Sequence, residues 1–160
     1  MLPFARPLRL LAIVTAVILL AGVALLIWRD FWSRRSPNQA RFSQGTIPLP
    51  TPEGDYKGSV NGYSGSWIGK TFDAKSATGR NRMQSAQRVE LRYPFRTWVG
   101  PGVADPIQVV KIDYDIPENP LWLRGVLDEI VQVEPNHFLG KVHLRWGPMH
   151  VTVGYFELRK

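Results

Sequence analysis

The side chains able to do chemistry in this 160-residue chain are few and scattered. Asp113 and Asp115 lie two apart on an alternating stretch, so both point to one face, where paired carboxylates can share a proton or hold a divalent cation. Nothing else with metal-ligand spacing accompanies them, and the expectation is an exposed acidic face opposite Ile112 and Tyr114. His137, His143 and His150 show no H-E-x-x-H spacing, and no other haem signature stands beside a single axial histidine. Lys141, His143 and Arg145 share one strand face, and so do Arg88, Arg92 and Arg96. Outside a barrel such a face is ordinary polar exterior. Turned toward a lumen it would neutralise a carboxylate or phosphate, for which the arginine fork is well shaped. Gly62-Tyr63-Ser64-Gly65 falls short of the G-x-S-x-G nucleophile elbow, because Ser66 stands where the final Gly belongs. There is no P-loop and no G-x-G-x-x-G opening a helix. The chain has no Cys, which excludes disulfides, thiol nucleophiles and thiolate metal sites. No catalytic residue, metal site or cofactor is therefore assigned.

The charge divides unevenly. The formal net charge is +7. Residues 1–44 hold six Arg and one Asp, a net +5, which leaves +2 on residues 45–160. The basic excess can meet anionic head groups. The remainder mixes both signs among apolar residues, unlike the concentrated footprint of a nucleic-acid binder, so nucleic acid is not an expected partner.

That basic segment contains the strongest single signal in the chain. Leu10 to Trp28 has no charged residue and holds twelve Leu, Ile or Val. As a helix it would run about 28 Å, close to the hydrocarbon thickness of a bilayer. Trp28, Phe31 and Trp32 follow at headgroup depth with Arg29, Arg34 and Arg35. A cleaved signal peptide would have a shorter apolar core, and Leu25-Leu26-Ile27-Trp28 runs on past the cleavage-like Gly22-Val23-Ala24. Residues 1–35 are accordingly read as a single-pass anchor in the cell membrane. The Arg balance across the helix leans slightly toward a cytoplasmic C-terminal domain and leaves the side open. Residues 36–55 carry Pro37, Pro48, Pro50 and Pro52 and are read as an extended tether, since each Pro also restricts its predecessor.

From Tyr56 to Lys160 alternation replaces any 3.6-residue period. Val89, Leu91, Tyr93, Phe95, Thr97 and Val99 share a face, as do Val110, Ile112, Tyr114 and Ile116, and Phe138, Gly140, Val142, Leu144 and Trp146. Glu134–His137 and Trp146–Met149 read as hairpin turns, Gly100-Pro101-Gly102 as a break, and Glu118–Leu127 as holding one short helix with Pro120 in its first turn. Seven or eight short antiparallel strands with one apolar face must curl to remove their edges. The expected fold is all-β: a small closed or nearly closed antiparallel barrel, with a two-sheet sandwich as the alternative.

Gly65-Ser66-Trp67-Ile68-Gly69 reads G-x-W-x-G on what looks like the first strand. It resembles the first-strand signature of the lipocalin-like (calycin) barrels, and also the bacterial family named after its GXWXG motif. Lys111–Pro117, Leu127–Val133, Phe138–Val142 and Gly154–Leu158 look like later strands of that family, so the resemblance spans Tyr56 to Lys160. It implies a barrel around an apolar interior, of the kind whose relatives bind lipids, retinoids, fatty acids or occasionally haem. It also implies Trp67 as a plug at the closed end, with Arg145 or Arg159 packed over it.

The function expected from these features is non-covalent binding of a small lipophilic ligand beside the membrane, with Trp67, Phe95, Tyr114, Phe138 and Tyr155 as lumen contacts and Arg145 as a polar one. Two alternatives stay open: a filled barrel serving as a protein-interaction module, whose partner the sequence does not name, and an enzyme of lipid or isoprenoid metabolism. A cavity of about 300 Å³ or more separates the first reading from the module. A His–carboxylate pair inside that cavity would favour the enzyme.

Overall fold

The computed structural model describes residues 5–62 and 65–160. Residues 1–4 of the expected anchor, and Tyr63 and Ser64 of the elbow-like stretch, lie outside the described residues. Eight strands form a closed barrel in sequence order, each antiparallel to its neighbours: β1 (Gly54–Ser59), β2 (Trp67–Asp73), β3 (Thr78–Ser85), β4 (Arg88–Pro101), β5 (Gln108–Asp113), β6 (Val126–Glu134), β7 (His137–Trp146) and β8 (Met149–Arg159). Closure comes from β8 pairing with β1, Gly58 opposite Leu158, so the sheet has no free edge. The helices are α1 (Ala5–Arg35), α2 (Pro37–Ser43) and α3 (Leu121–Arg124). From Leu8 to Arg35, α1 is long and apolar enough to cross a membrane. The motif tryptophan opens the second strand. Short, polar β1 precedes it and gives little hydrophobic signal.

The two ends of the barrel differ. Tyr56, Phe72, Phe95 and Phe138 fill one end with edge-on and tilted ring contacts, 5.1–5.7 Å between centroids. That closed end carries the β2–β3, β4–β5 and β6–β7 connections. The opposite end, the mouth, carries the β1–β2, β3–β4 and β7–β8 connections and α3. Trp67 stands at the mouth.

Four bulges interrupt the ladders; one, between Gln132 and Glu134, lies at the closed end, and the other three decide which side chains face inward around the site. Ile68 is an extra residue between the Trp67–Met83 and Gly69–Arg82 pairs, and this puts both Trp67 and Lys70 in the lumen although three positions separate them. Gly69, at φ +135°, permits the bulge: a Cβ there would come within 2.0 Å of the Tyr56 carbonyl oxygen on β1. Tyr93, at φ +54°, is the extra residue between Pro94 and Arg92 on β4. It breaks the single apolar face expected for β4: Phe95 is buried in the core, while Val89 and Leu91 are turned out and about half exposed. Val153 is the third, between the Val142–Gly154 and His143–Thr152 pairs.

Part of the segment expected to be extended is helical. Ser36 caps α2, its hydroxyl accepting from the Asn38 amide at 3.2 Å, and Pro37 occupies the first turn, where its missing N–H costs nothing. α2 then seats Phe42, fully buried, against Val109, Val131, Leu139 and Tyr155 on the outer wall. Thr46 exchanges backbone hydrogen bonds with Gln132. Pro120 takes the N-cap position of α3.

Candidate functional site

The bulge in β2, the inward phases of β3 and β6 and the first residue after β5 bring four polar side chains together inside the barrel. Lys70 Nζ lies 3.0 Å from Asp128 Oδ2 and donates to Asn81 Oδ1 at 3.0 Å. It also bonds the Tyr114 hydroxyl. The Tyr114 O–H is within 3.2 Å of Asp128 Oδ2, and Asn81 Nδ2 donates to the Tyr114 oxygen at 3.2 Å. Trp67 Nε1–H donates to Asn81 Oδ1 at 2.9 Å. Asn81 is thus the hub, accepting from the tryptophan and the lysine together.

The surroundings of this cluster are apolar. The Lys70 ammonium sits 5.0–5.6 Å from the ring centroids of Trp67, Phe95, Tyr114 and Phe156, a box of π faces that favours a cation. Burial pulls the Lys70 pKa down, and the opposing charge and hydrogen bond of Asp128 only partly restore it. Burial pushes the Tyr114 phenol well above its usual value, and the Asp128 charge pushes it further the same way, so the phenol stays protonated as a donor.

Above the cluster lies a cavity of about 520 Å³, within the range of small-molecule sites. Lys70, Asp128, Asn81 and Tyr114 form its polar floor, and Leu123, Val126, Val142 and Phe156 its apolar wall. Its rim is made by Val60 and Asn61 of the β1–β2 connection and by Trp28, Arg29, Trp32 and Ser33 of α1. The helix is held there by the β8 backbone. Asp30 Oδ1 accepts from the Thr152 amide at 2.9 Å, Arg29 donates to the Val153 carbonyl, and the Tyr155 hydroxyl donates to the Ser33 carbonyl at 3.2 Å.

No known family matches the chain, and no curated protein matches it. A solved structure does resemble it. The crystal structure of a protein from Thermomonospora curvata superimposes with a TM-score of 0.52 at 14% identity, covering 74% of this chain and 82% of that one. The likeness shows the fold, and the eight-stranded antiparallel barrel is compatible with a lipocalin-like architecture.

The structure separates the residues expected to line the lumen. Trp67 and Tyr114 line the cavity, and Tyr155 reaches its edge from the outer wall. Phe95 and Phe138 pack in the core. Arg145 lies on the outer wall, bonded to Asp113 Oδ1 at 2.7 Å and to the Arg124 carbonyl at 3.3 Å. Neither Arg145 nor Arg159, which pairs with Glu157, packs over Trp67; the cation beside that ring is Lys70. Nor is Asp113 part of an exposed acidic face: it is buried by its pairing with Arg145. The strand pattern alone does not mark Lys70, Asn81 and Asp128 as site residues. It does leave a signal at Asp128, which interrupts the inward phase between Val126 and Ile130.

The polar strand face of Lys141 and His143 points outward yet is buried. Lys111 Nζ lies 2.8 Å from Glu129 Oε1, His143 Nε2 lies 3.1 Å from Glu129 Oε2, and Thr152 Oγ1 lies 3.3 Å from His143 Nδ1. The Val103 amide donates to the same Glu129 at 2.7 Å. Beside it Lys141 bonds Asp105, which also accepts from Gln39 and Ser43 of α2. This hydroxyl–imidazole–carboxylate chain is fully enclosed on the outer wall, and none of its members lines the cavity. It braces β5–β8 and the β4–β5 connection. Among the described residues no group of His, Asp or Glu is placed to hold a metal ion.

Proposed function

We propose that the protein is a membrane-anchored barrel that binds one small lipophilic molecule non-covalently, with the ligand's polar end down on the Lys70–Asp128 floor. The carrying observation is the cavity of about 520 Å³ whose walls are apolar and whose floor is a buried ion pair. Apolar burial supplies affinity, and the floor supplies orientation. The resemblance of Gly65–Gly69 to lipocalin-like and GXWXG barrels supports the same reading.

The floor also selects ligand charge. Asp128 already neutralises Lys70. On the floor a ligand carboxylate would bring a second negative charge among aromatic rings, at a large desolvation cost, because Arg29, the other cation on the cavity, stands at the rim with its guanidinium on the Val153 carbonyl. A hydroxyl or carbonyl oxygen accepts from Lys70 or Tyr114, a hydroxyl can also donate to Asp128, and neither adds charge. The ligand class is therefore a neutral lipophile carrying one such oxygen.

The test is native mass spectrometry of the full-length protein in lipid nanodiscs, with a long-chain alcohol and the fatty acid of equal length added separately. Retention of one alcohol per chain, and much weaker retention of the acid, is the expected result. Failure of both to bind overturns the reading. Preference for the acid overturns the assignment of the floor as a neutral site.

A further inference from the structure

The exposed large apolar side chains outside α1 are not spread evenly. Among the described residues, Val60, Val89, Leu91, Leu121, Trp122, Trp146 and Met149 all belong to the mouth end, and only Leu49, Trp98 and Val99 lie elsewhere. Leu121 and Trp122 on α3 are 83% and 67% exposed. Soluble surfaces rarely gather apolar side chains in this way without a partner.

The direction of α1 says what that partner is. Reading backward along the helix, Ser33 meets Tyr155 and Asp30 meets Thr152, so α1 runs along β8 toward its first residue, Met149, and leaves the barrel past the mouth. A span from Leu10 to Trp28 fills the hydrocarbon at about 1.5 Å per residue and leaves Trp28 at its boundary. Trp28 and Trp32 line the cavity rim beside Val60 and Asn61. The rim is thereby fixed at the depth of the headgroups. Val89 and Leu91 alternate there with Arg88, Glu90 and Arg92, of which Arg92 pairs with Glu90 at 2.7 Å, so apolar and charged side chains mix as they do in that layer.

We infer that the barrel sits mouth-down on the bilayer that α1 crosses, with Val60, Val89, Leu91, Leu121, Trp122 and Met149 in the interfacial layer and the cavity opening into it. The ligand then enters from the lipid phase without crossing water. This inference rests on the anchored-barrel reading, and it adds a second, barrel-borne contact with lipid.

The chain has no Cys, which allows single-site labelling of the full protein. Leu121→Cys, Trp122→Cys and Met149→Cys would be compared with Lys75→Cys and Asn136→Cys at the closed end. Each would carry a small fluorophore in phosphatidylcholine vesicles containing nitroxide-labelled lipid. Severalfold stronger quenching at the three mouth positions than at the two closed-end positions is the expected result. Equal quenching at all five, with the protein retained through alkaline carbonate washing, overturns the mouth-down seating and leaves the anchor intact. Release by carbonate overturns both. Mouth labels shielded from water-borne quencher but untouched by lipid nitroxide would mean that a second copy covers the patch, and would also overturn the seating. Leu121→Glu combined with Trp122→Glu should lower quenching at a Met149→Cys label while leaving alcohol binding in detergent unchanged.

Discussion

Lys70 and Asp128 form an ion pair at 3.0 Å with side chains only 3% and 5% exposed, on two strands that are not neighbours in the barrel. The pair spans the lumen from β2 to β6. Its position is set by one inserted residue, Ile68, without which Lys70 and Trp67 would face opposite ways. A charge pair in such a place costs desolvation on both sides and is held by the surrounding bonds from Asn81 and Tyr114.

Removing one partner leaves the other charge among aromatic rings. Lys70→Met is expected to destabilise the protein by about 3–5 kcal/mol, whereas Lys70→Met combined with Asp128→Leu recovers most of that loss. Urea denaturation of the full chain in detergent reads both. A double variant no more stable than the single one would show that the pair itself holds the barrel together. The double variant should also lose most of the preference for alcohol over alkane, because only Asn81 and Tyr114 then remain polar on the floor.

The outer-wall cluster has a pH signature. Burial alone would raise the Glu129 carboxyl, but the hydrogen bonds from His143 and Lys111 outweigh it and bring the pKa down from 4.5 to about 2. Because the folded value is the lower one, its stabilisation is fully present above about pH 4.5 and is lost as pH falls toward about 2. The gap corresponds to at most about 3 kcal/mol. Thermal midpoints of the wild type should fall steadily across that window. Glu129→Gln should start lower and fall with a shallower slope; parallel slopes would contradict the assignment.

The barrel was legible because stretches such as Val110–Ile116 and Lys141–Trp146 alternate apolar with polar residues and because its turns carry Gly, Pro and Asn where turns need them. The floor was hidden by bulges. A strict two-residue period places Trp67 and Lys70 on opposite faces, and it keeps Val89 and Leu91 with Phe95, since an extra residue leaves no mark on composition. α2 was hidden differently: Ser36-Pro37 is a helix start, but beside Pro48, Pro50 and Pro52 it reads as more extended chain. The burial of Lys141 and His143 on the outside could not follow from strand pattern at all, because α2 and the β4–β5 connection cover them from distant sequence.

Gly69 tests the bulge directly. Its φ of +135° and the 2.0 Å approach of the Tyr56 oxygen to an added Cβ leave no room for alanine. Gly69→Ala must push β1 away from β2 or straighten the bulge, which would rotate Lys70 out of the lumen. A stability loss of about 1–3 kcal/mol for the backbone strain alone is expected, together with loss of alcohol binding. Gly62→Ala, also at positive φ but with open space around it, should leave binding intact. Equal binding losses in both would point to general unfolding and away from the bulge.

Phe42 decides whether the segment between helix and barrel is a loose tether. Its fully buried ring packs on Val109, Val131, Leu139 and Tyr155, and the Lys141 ammonium lies 4.4 Å from its centroid. Phe42→Ala is expected to cost about 3–5 kcal/mol of α2 docking, and it opens the enclosure around Lys141 and Asp105. The loss falls on α2 before it falls on the barrel, because the closed sheet does not depend on α2 for its strand pairing. Limited trypsin digestion should therefore cut the variant at Arg41 many times faster than the wild type, while far-ultraviolet circular dichroism keeps its β signal. Phe42→Leu, which refills most of the pocket, should restore much of the protection. Cleavage at Arg41 equally fast in all three proteins would mean that α2 does not stay on the wall, and that barrel and anchor are joined by a free chain.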